Sequence, residues 1–517
     1  MPLQSGRARV LRRCAIATST AWLVAALSTA GSSTARAQGN DRSAPTGGRS
    51  ALMGNTGVAL ARDGAAPFLN PATIVSIEDK HLAFSVNFFT YSLRRVSDWN
   101  EPGAVDSRFG ALKLQSTGET STRFHALPST LCLFFTLSKV TLLDSESEES
   151  APPRGRQKLA LCVGSLEADD INLTALQFQG GTSAGSTSQI ESIARSWNRL
   201  YVGPTYGVEL TDRLALGMSL HGVVTSDSFV VAGTNISSLT DGTALQSALG
   251  NAAYGYSFDL AAILGATYRA GSLTLGASAQ LPALHILGRY QANASDEVSG
   301  TDGTGTVMSG TGTFRALPPV RLAVGAGVQW PRLTVEVDES YDLPAPEAVV
   351  TDLQGTRTTL AGTTATTSPL TVQYAVGTHS TFNTAVGAEY FLTRGLSILG
   401  GASTNLSMLG TLTPSTALGN PVQARTNHVS ASFGIGSYGG IGDLLMGMQL
   451  DYGWGQLLAV DPYVVPNQWT AIATQTYSAM FVLAGATNLR AIGRAVEKVE
   501  NAVTNGVPAS PAPPKAP

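Results

Sequence analysis

Large apolar residues alternate with small or polar residues along much of the chain after position 80. In Tyr254–Arg269 one face carries four aromatic and two leucine side chains, and the other carries mostly Gly, Ser, Ala and charged residues. Arg213–Leu220 and Leu444–Trp454 alternate in the same way. A period of two over this length indicates β-strands with a different environment on each face. The aromatic residues gather near the strand ends, as in the interfacial girdles of a membrane barrel.

We count about fourteen such segments, an even number, as bacterial single-chain barrels have. The predicted strands are Leu82–Leu93, Arg123–Leu137, Lys158–Leu166, Trp197–Leu210, Arg213–Leu220, Tyr254–Arg269, Leu273–Tyr290, Thr313–Trp330, Leu333–Tyr341, Thr381–Leu392, Leu396–Leu406, His428–Ser437, Leu444–Trp454 and Thr476–Leu489. The predicted fold class is therefore all-β, an antiparallel transmembrane β-barrel with an N-terminal hatch (a plug) in its lumen.

The connections alternate in length, with tight turns on one rim and long polar segments on the other. This asymmetry is typical of outer-membrane barrels. The acidic insert Asp144–Arg156 falls on the short-turn side and breaks the pattern. The long connections that we predict as outside loops are Asp169–Ser196, Ala232–Ala253, Gln291–Gly312, Pro344–Ser380 and Thr411–Thr426.

One long connection carries a candidate site for ligand capture. Leu239, Leu245 and Leu249 lie near helical spacing, and Gly250 fits a helix stop. We interpret them as a short helix with an apolar face for a hydrophobic ligand. The alternative is a loop helix that packs on its neighbours.

The chain divides into four predicted parts. Residues 1–37 have a basic start, an apolar stretch and an Ala-Arg-Ala cleavage site, which predict a signal peptide. Residues 38–80 are the predicted hatch, and 81–489 the barrel. Residues 490–517 are predicted as a periplasmic helix and a Pro-rich tail, with docking to a periplasmic partner as the alternative.

Composition supports a membrane barrel over a large soluble protein. Charged residues make up 13% of the chain, about half of normal globular usage, and the mean hydropathy is only +0.09. Lys and Arg (33) nearly balance Asp and Glu (36), so no basic field points to nucleic acid. The six His residues do not fall into metal spacing, and we expect no cofactor.

The stretch Gly54–Ala72 lies between the predicted signal peptide and the first strand. Pro71 restricts the backbone of Asn70, whose amide can form turn bonds, so Asn70-Pro71-Ala72 predicts a rigid corner. Gly54, Gly57 and Gly64 would let this backbone run close to the barrel wall. The alternative is an ordinary Gly-rich turn that leads into the first strand.

Two charges, Arg62 and Asp63, lie within this stretch and would need partners in a lumen of low dielectric. We expect inward-facing charged residues of the barrel to supply some of them. The alternative is a solvated lumen without such pairs. The candidate partners are Asp259, Arg269, Arg321, Glu336, Glu389 and Asp451.

Two cysteines, Cys132 and Cys162, remain after the predicted cleavage and lie on neighbouring predicted strands. A cross-strand disulfide and two buried thiols are both compatible with this spacing.

These residues together resemble the FadL-type outer-membrane transporter family. The resemblance is carried by Ala51–Ala66, by Asn70-Pro71-Ala72 and by the strand phrases Val202–Gly217 and Val386–Gly401. It implies a fourteen-stranded barrel closed by an N-terminal hatch that contains the Asn-Pro-Ala motif. It also implies that the ligand leaves sideways, through a gap in the wall beside a kinked strand.

The predicted function is passive uptake of long-chain fatty acids or similar hydrophobic small molecules, without enzymatic activity. The expected partners are the ligand, outer-membrane lipid and the barrel-assembly machinery, and we expect a monomer in the outer membrane of a Gram-negative-type bacterium. The alternatives are a structural or adhesive barrel and a barrel lipase, for which Ser219 and His221 share a strand face.

Overall fold

The described part of this computed structural model closes into an antiparallel β-barrel. Nineteen strand segments form one sheet, and the first pairs with the last, with Leu82 opposite Thr487. The described residues are 40, 44–77, 82–97, 118–123, 128–139, 156–182, 185–238, 244–299, 303–412, 424–439, 442–461 and 468–487.

The strand segments are β1 (Leu82–Ser97), β2 (Gly118–Arg123), β3 (Pro128–Lys139), β4 (Arg156–Thr182), β5 (Gly185–Glu209), β6 (Leu214–Ser238), β7 (Ala244–Ala270), β8 (Leu273–Gln280), β9 (Leu284–Ser299), β10 (Thr304–Ala316), β11 (Arg321–Gln329), β12 (Leu333–Asp342), β13 (Val349–Ala361), β14 (Thr364–Val376), β15 (Thr381–Thr393), β16 (Leu396–Asn405), β17 (Ala424–Tyr438), β18 (Gly442–Asp461) and β19 (Gln468–Thr487). Three short helical turns, Arg49–Leu52, Ala66–Leu69 and Pro71–Ser76, precede them.

Five strands of the barrel are each described in two segments, so the nineteen segments make fourteen strands, and the predicted number is confirmed. Segments of one strand lie end to end on the same neighbour, as β8 and β9 do on β7. The interrupted strands are β2/β3, β8/β9, β10/β11, β12/β13 and β14/β15.

Proline accounts for three adjacent interruptions. Residues 281–283, 317–320 and 343–348 each contain at least one Pro, which has no amide hydrogen for the ladder. The predicted strands Leu273–Tyr290 and Thr313–Trp330 are therefore each divided in two. On one side of these breaks, β9, β10, β13 and β14 pair with one another in that order.

Most of the predicted outside loops are wrong in their secondary structure, because strands continue through them. Residues 169–182 and 185–196, for example, belong to β4 and β5, which pair from Gln157–Val208 to Thr182–Gly185. Beyond the membrane both faces of a strand meet water or an inner packing surface, so the apolar alternation that marks a membrane strand fades. Thr remains compatible with a strand there.

The predicted capture helix is also wrong. Leu245 and Leu249 lie on β7, with Leu249 opposite Gly233, and Leu239 lies outside the described residues. A spacing of four is even, so it places two residues on one side of a strand as well as on one side of a helix. Leu249 is buried in an apolar cluster that also contains Trp197 and Phe229.

The outer surface carries an apolar belt. Met218, Leu264 and Phe433 are 41–50% exposed, and Tyr254 and Tyr268 are exposed near opposite ends of the membrane part of β7. A closed barrel with such a belt and aromatic ends is an outer-membrane barrel. Among the residues described, no helix has the length and apolar character to cross a bilayer.

Packing inside the described barrel falls into an outer and an inner region. The outer apolar cluster includes Trp197, Phe229, Tyr290, Phe314 and Leu457, all at most 2% exposed. The inner clusters join residues of segment 44–77 to the wall.

Cys132 and Cys162 lie opposite each other on β3 and β4 and form a disulfide. Of the two alternatives left open by the sequence, the pair is therefore the one observed. The predicted signal peptide (1–37), the C-terminal extension (490–517) and all but the last residue of the acidic insert lie outside the described residues.

Candidate functional site: segment 44–77 and the lumen cavity

Residues 44–77, called the N-terminal segment below, turn sharply at Asn70. The Asn70 backbone is extended (φ −153°, ψ 104°), and Pro71 begins the short 3-10 helix that follows. The Asn70 side chain accepts a hydrogen bond from the Ala72 amide and donates to the carbonyls of Val58 (2.6 Å) and Ala266 (3.0 Å). One amide therefore joins two parts of the segment to β7 of the wall.

Three predicted glycines of the segment are placed where a side chain would meet other atoms. Gly54 and Gly57 have φ of +71° and +154°, in the region that L-residues rarely adopt. A Cβ at Gly64 would lie 2.6 Å from Oγ1 of Thr130 on β3.

Glycines of the wall face the segment in turn. A Cβ at Gly401 would lie 2.6 Å from the Met53 carbonyl oxygen, and one at Gly387 would lie 2.7 Å from Met53 Cβ. Gly217 and Gly265 make the same kind of approach to Pro71. These wall glycines were not among our predicted site residues. The available signal was a Gly at an inward position of a membrane strand.

Two carboxylates of β12 bind successive amides of the segment. Asp338 accepts from Gly57 (2.6 Å) and Val58 (2.9 Å) through Oδ2. Glu336 accepts from Ala59 (2.8 Å) and Leu60 (2.9 Å) through Oε1. Four backbone donors that would otherwise be buried without partners are thus satisfied by two side chains of one strand.

A buried ion pair joins the segment to another strand of the wall, β15. Arg49 donates to Glu389 of β15 at 2.7 Å, and the two side chains are 7% and 2% exposed. Glu389 also accepts hydrogen bonds from Ser397 (2.8 Å) and Tyr438. Such a pair needs these added donors because desolvation of two charges is costly. Arg49 and Asp338 were not among our predicted residues.

The two charges for which we predicted barrel partners are placed differently. Asp63 accepts from the amides of Gly48, Ser50 and Ala65 and from the Ser50 hydroxyl, at 2.8–3.1 Å. The segment thus wraps its own donors around this carboxylate, so the prediction of a barrel partner is not met for Asp63. Arg62 is exposed and lines a small cavity with Arg269.

The remaining predicted charges form pairs within the wall. Asp259 bonds to His285 at 2.7 Å. Arg321 donates to Asp342 at 2.6 and 2.9 Å. Asp451 bonds to a ring nitrogen of His428 at 2.6 Å and accepts from Ser430 at 2.8 Å.

A cavity of about 300 Å³ lies between the N-terminal segment and the inner wall. Ala44, Pro45, Asn55, Val58 and Leu69 of the segment form part of its lining. Most of the other lining side chains are amides, hydroxyls or charged groups. The volume is at the lower end of the range for small-molecule sites.

Among the described residues, the hydrogen-bonded ladder of the wall is interrupted beside this cavity. The ladder between β3 and β4 ends at Thr130–Gly164, and β4 continues along β5 alone among the described pairings, while β2 pairs with β1. A bulge between Ser165 and Glu167 shifts the register of β4 at this point. The carbonyl of the bulged residue, Leu166, accepts a bond from the Ala44 amide at 3.1 Å.

The cavity extends into this interruption. After the bulge, Ile171 and Leu173 are buried, so Ala168, Asp170 and Asn172 belong to the opposite face of β4. These three residues nevertheless line the same cavity as Asn87 and Thr90 of β1. The cavity is therefore bounded by residues from both faces of the wall.

Ser219 and His221 are not arranged as a nucleophile and its base. The Ser219 hydroxyl donates to the Pro67 carbonyl at 2.7 Å and lies 2.8 Å from the Thr205 hydroxyl. The His221 ring stacks on Phe68 of the N-terminal segment, with ring centroids 5.1 Å apart. Their positions serve contact between the segment and the wall.

No protein-family model and no curated protein matches the chain. Among solved structures, it is similar to the Ralstonia pickettii toluene transporter TbuX, with 14% identity and a TM-score of 0.48 over 85% of this chain and 98% of that one. It is similar to the Pseudomonas putida toluene transporter TodX, with 16% identity and a TM-score of 0.47 over 86% and 98%. A Pseudomonas aeruginosa FadL homologue gives 12% identity and a TM-score of 0.45 over 88% and 100%.

Proposed function

We propose that this chain is an outer-membrane transporter for passive uptake of hydrophobic small molecules, with the N-terminal segment as a fixed hatch. The observation that carries the proposal is the interruption beside β4, where the lumen cavity is lined by residues from both faces of the wall. A molecule that enters the cavity from outside would leave through this interruption into the membrane.

The contacts of the hatch favour exit through the wall over a path straight through the barrel. Asp338, Glu336 and Glu389 hold it on one side, and Asn70 holds it to β7 on another. A straight path would break these buried bonds together, and each would leave a donor or acceptor unpaired at about 1–3 kcal/mol. Exit through the interruption leaves them in place.

No energy source is needed for this process. Transfer of apolar surface from water to a membrane is favourable by about 0.8 kcal/mol for each CH₂ group. The role of the barrel is then to let an apolar molecule cross the polar outer surface of the membrane.

Deletion of Leu166 tests the proposal because it removes the bulge and allows the β4 ladder to continue. Uptake of radiolabelled 1-dodecanol and dodecanoate is measured in cells that lack the protein and carry the native or variant gene. We expect the deletion to reduce uptake of both compounds to the level of cells without the protein. Deletion of Leu392, the bulged residue of β15 between Phe391 and Thr393, is the matched control and should retain uptake.

Both variants must show the heat-dependent gel shift of a folded barrel. Uptake at the native rate by a folded Leu166 deletion would refute exit beside β4. Native protein that transports neither compound would refute the uptake function and favour a structural or adhesive barrel. Mass spectrometry of molecules co-purified with the folded protein provides an independent test of ligand binding.

A further inference from the structure

The lining of the lumen cavity has an unusual chemistry for a site that accepts only hydrocarbon. Amide and hydroxyl side chains from many strands line it, and only a few of its lining residues have large apolar side chains, such as Leu69, Trp197 and Met480. Among the polar groups are Asn87, Ser129, Asn198, Ser340, Asn383 and Ser478. These groups both donate and accept hydrogen bonds, so they suit an uncharged polar group.

The basic side chains of the lining are already paired with carboxylates. In the described residues they are Arg94, Arg321 and His428. Arg321 makes two bonds to Asp342, and His428 bonds to Asp451 at 2.6 Å. Arg94 lies 3.7 Å from Asp169, beside the wall interruption.

The acidic side chains of the lining add negative charge on the route through the wall. Asp169 and Asp170 follow the bulge of β4, and Glu167 lies two residues before Asp169. Glu167 already accepts from Arg199 at 2.9 Å and from Trp197 at 2.8 Å. An entering carboxylate would meet like charges here and would have to compete for cations that are already neutralised.

We infer that the cavity selects hydrophobic molecules with an uncharged hydrogen-bonding head group, such as an alcohol or an amide, over carboxylates of the same chain length. This inference rests on the proposed uptake function and names its substrate class. The hydroxyl and amide lining replaces the water lost by a neutral head group. It offers no uncompensated cation to a carboxylate.

The test compares 1-dodecanol with dodecanoate at pH 9, where the acid is ionised. Binding to the native barrel in nanodiscs is measured by competition with a fluorescent dodecanol analogue, and empty nanodiscs give the correction for partition into lipid. We expect the alcohol to bind about tenfold more tightly or better, as a modest charge–charge repulsion would produce.

Asp169→Asn sharpens the test because it removes the carboxylate beside Arg94. It should strengthen dodecanoate binding severalfold and so bring the affinities of dodecanol and dodecanoate closer together. Asp212→Asn makes the same change of charge at the β5–β6 turn. Asp212 lines a different cavity, so this change should alter the binding of neither compound.

Dodecanoate that binds the native barrel as tightly as dodecanol would overturn the selection of neutral head groups, as would absence of binding by both. The uptake experiment separates this failure from failure of the proposed function. Cells that take up dodecanoate through the native barrel at least as fast as dodecanol, and lose both on deletion of Leu166, would retain the transporter and reject only its head-group preference.

Discussion

Alanine at Gly401 should loosen the N-terminal segment, the proposed hatch, without altering the barrel. Gly401 lies on β16 opposite Gly387, and both face Met53 of the hatch. A Cβ at Gly401 would lie 2.6 Å from the Met53 carbonyl oxygen and would meet other backbone atoms of Met53 and Gly54. Because backbone cannot rotate away as a side chain can, the hatch itself has to move.

The size of the effect follows from this overlap. The nearest atom, the Met53 carbonyl carbon, would lie 2.3 Å from this Cβ. An ordinary contact needs about 3.4 Å or more, so Met53 must recede by about 1 Å. Overpacking of this kind costs about 1–3 kcal/mol. This cost acts on the closed position of the N-terminal segment. It would raise the population of a displaced position by about 5- to 150-fold.

Gly400→Ala is the matched control because it adds the same methyl group one residue away. The nearest atom to its Cβ would be the Ser432 carbonyl oxygen, at an ordinary 3.6 Å. The assay is the rate at which small sugars swell proteoliposomes that contain folded barrel, together with single-channel conductance. Faster swelling with Gly401→Ala than with Gly400→Ala is expected. Equal, native-like rates for both variants would refute the idea that wall glycines fix the hatch.

Three further outcomes follow from the described contacts. Arg49→Met leaves the Glu389 carboxylate buried without its cation and should cost about 3–5 kcal/mol in urea unfolding, whereas Arg49→Met with Glu389→Leu should cost less. Asn70→Asp keeps the acceptor for the Ala72 amide but loses both donated bonds, so sugar-driven swelling should be faster than with native protein. Mature protein unfolded without reductant should show no reactive thiol, because Cys132 and Cys162 are paired. A full thiol equivalent would contradict the disulfide.

The membrane part of the barrel could be predicted from sequence because its signal is local. Lipid on one side and the lumen on the other impose alternation on each strand, as in Leu214–Leu220, where Leu216, Met218 and Leu220 are exposed and Ser219 is buried. Outside the membrane this constraint is lost. The extensions of β6 and β7 therefore read as loops, and the even spacing of Leu245 and Leu249 fitted a helix as well as a strand.

The partners of the N-terminal segment could not be predicted in the same way, because they depend on the register of distant strands. Arg49 and Glu389 are 340 residues apart, and Gly57 and Asp338 are 281 apart. No local pattern in the sequence indicates which inward positions of a strand lie next to the N-terminal segment. The wall glycines raise the same difficulty, since an inward Gly beside the N-terminal segment and an inward Gly elsewhere in the lumen look alike in one sequence.

Part of the site could nevertheless be predicted from the two-residue period of a strand. On β12, Val337 is exposed at 39%, whereas Glu336, Asp338 and Asp342 are at most 5% exposed. Assigning Glu336 to the lumen therefore assigns Asp338 and Asp342 to it as well. Three carboxylates on one inward stripe cannot remain without donors in a confined space. The stripe indicates that something rich in donors lies against it, and here backbone amides of the hatch and the guanidinium of Arg321 fill that requirement.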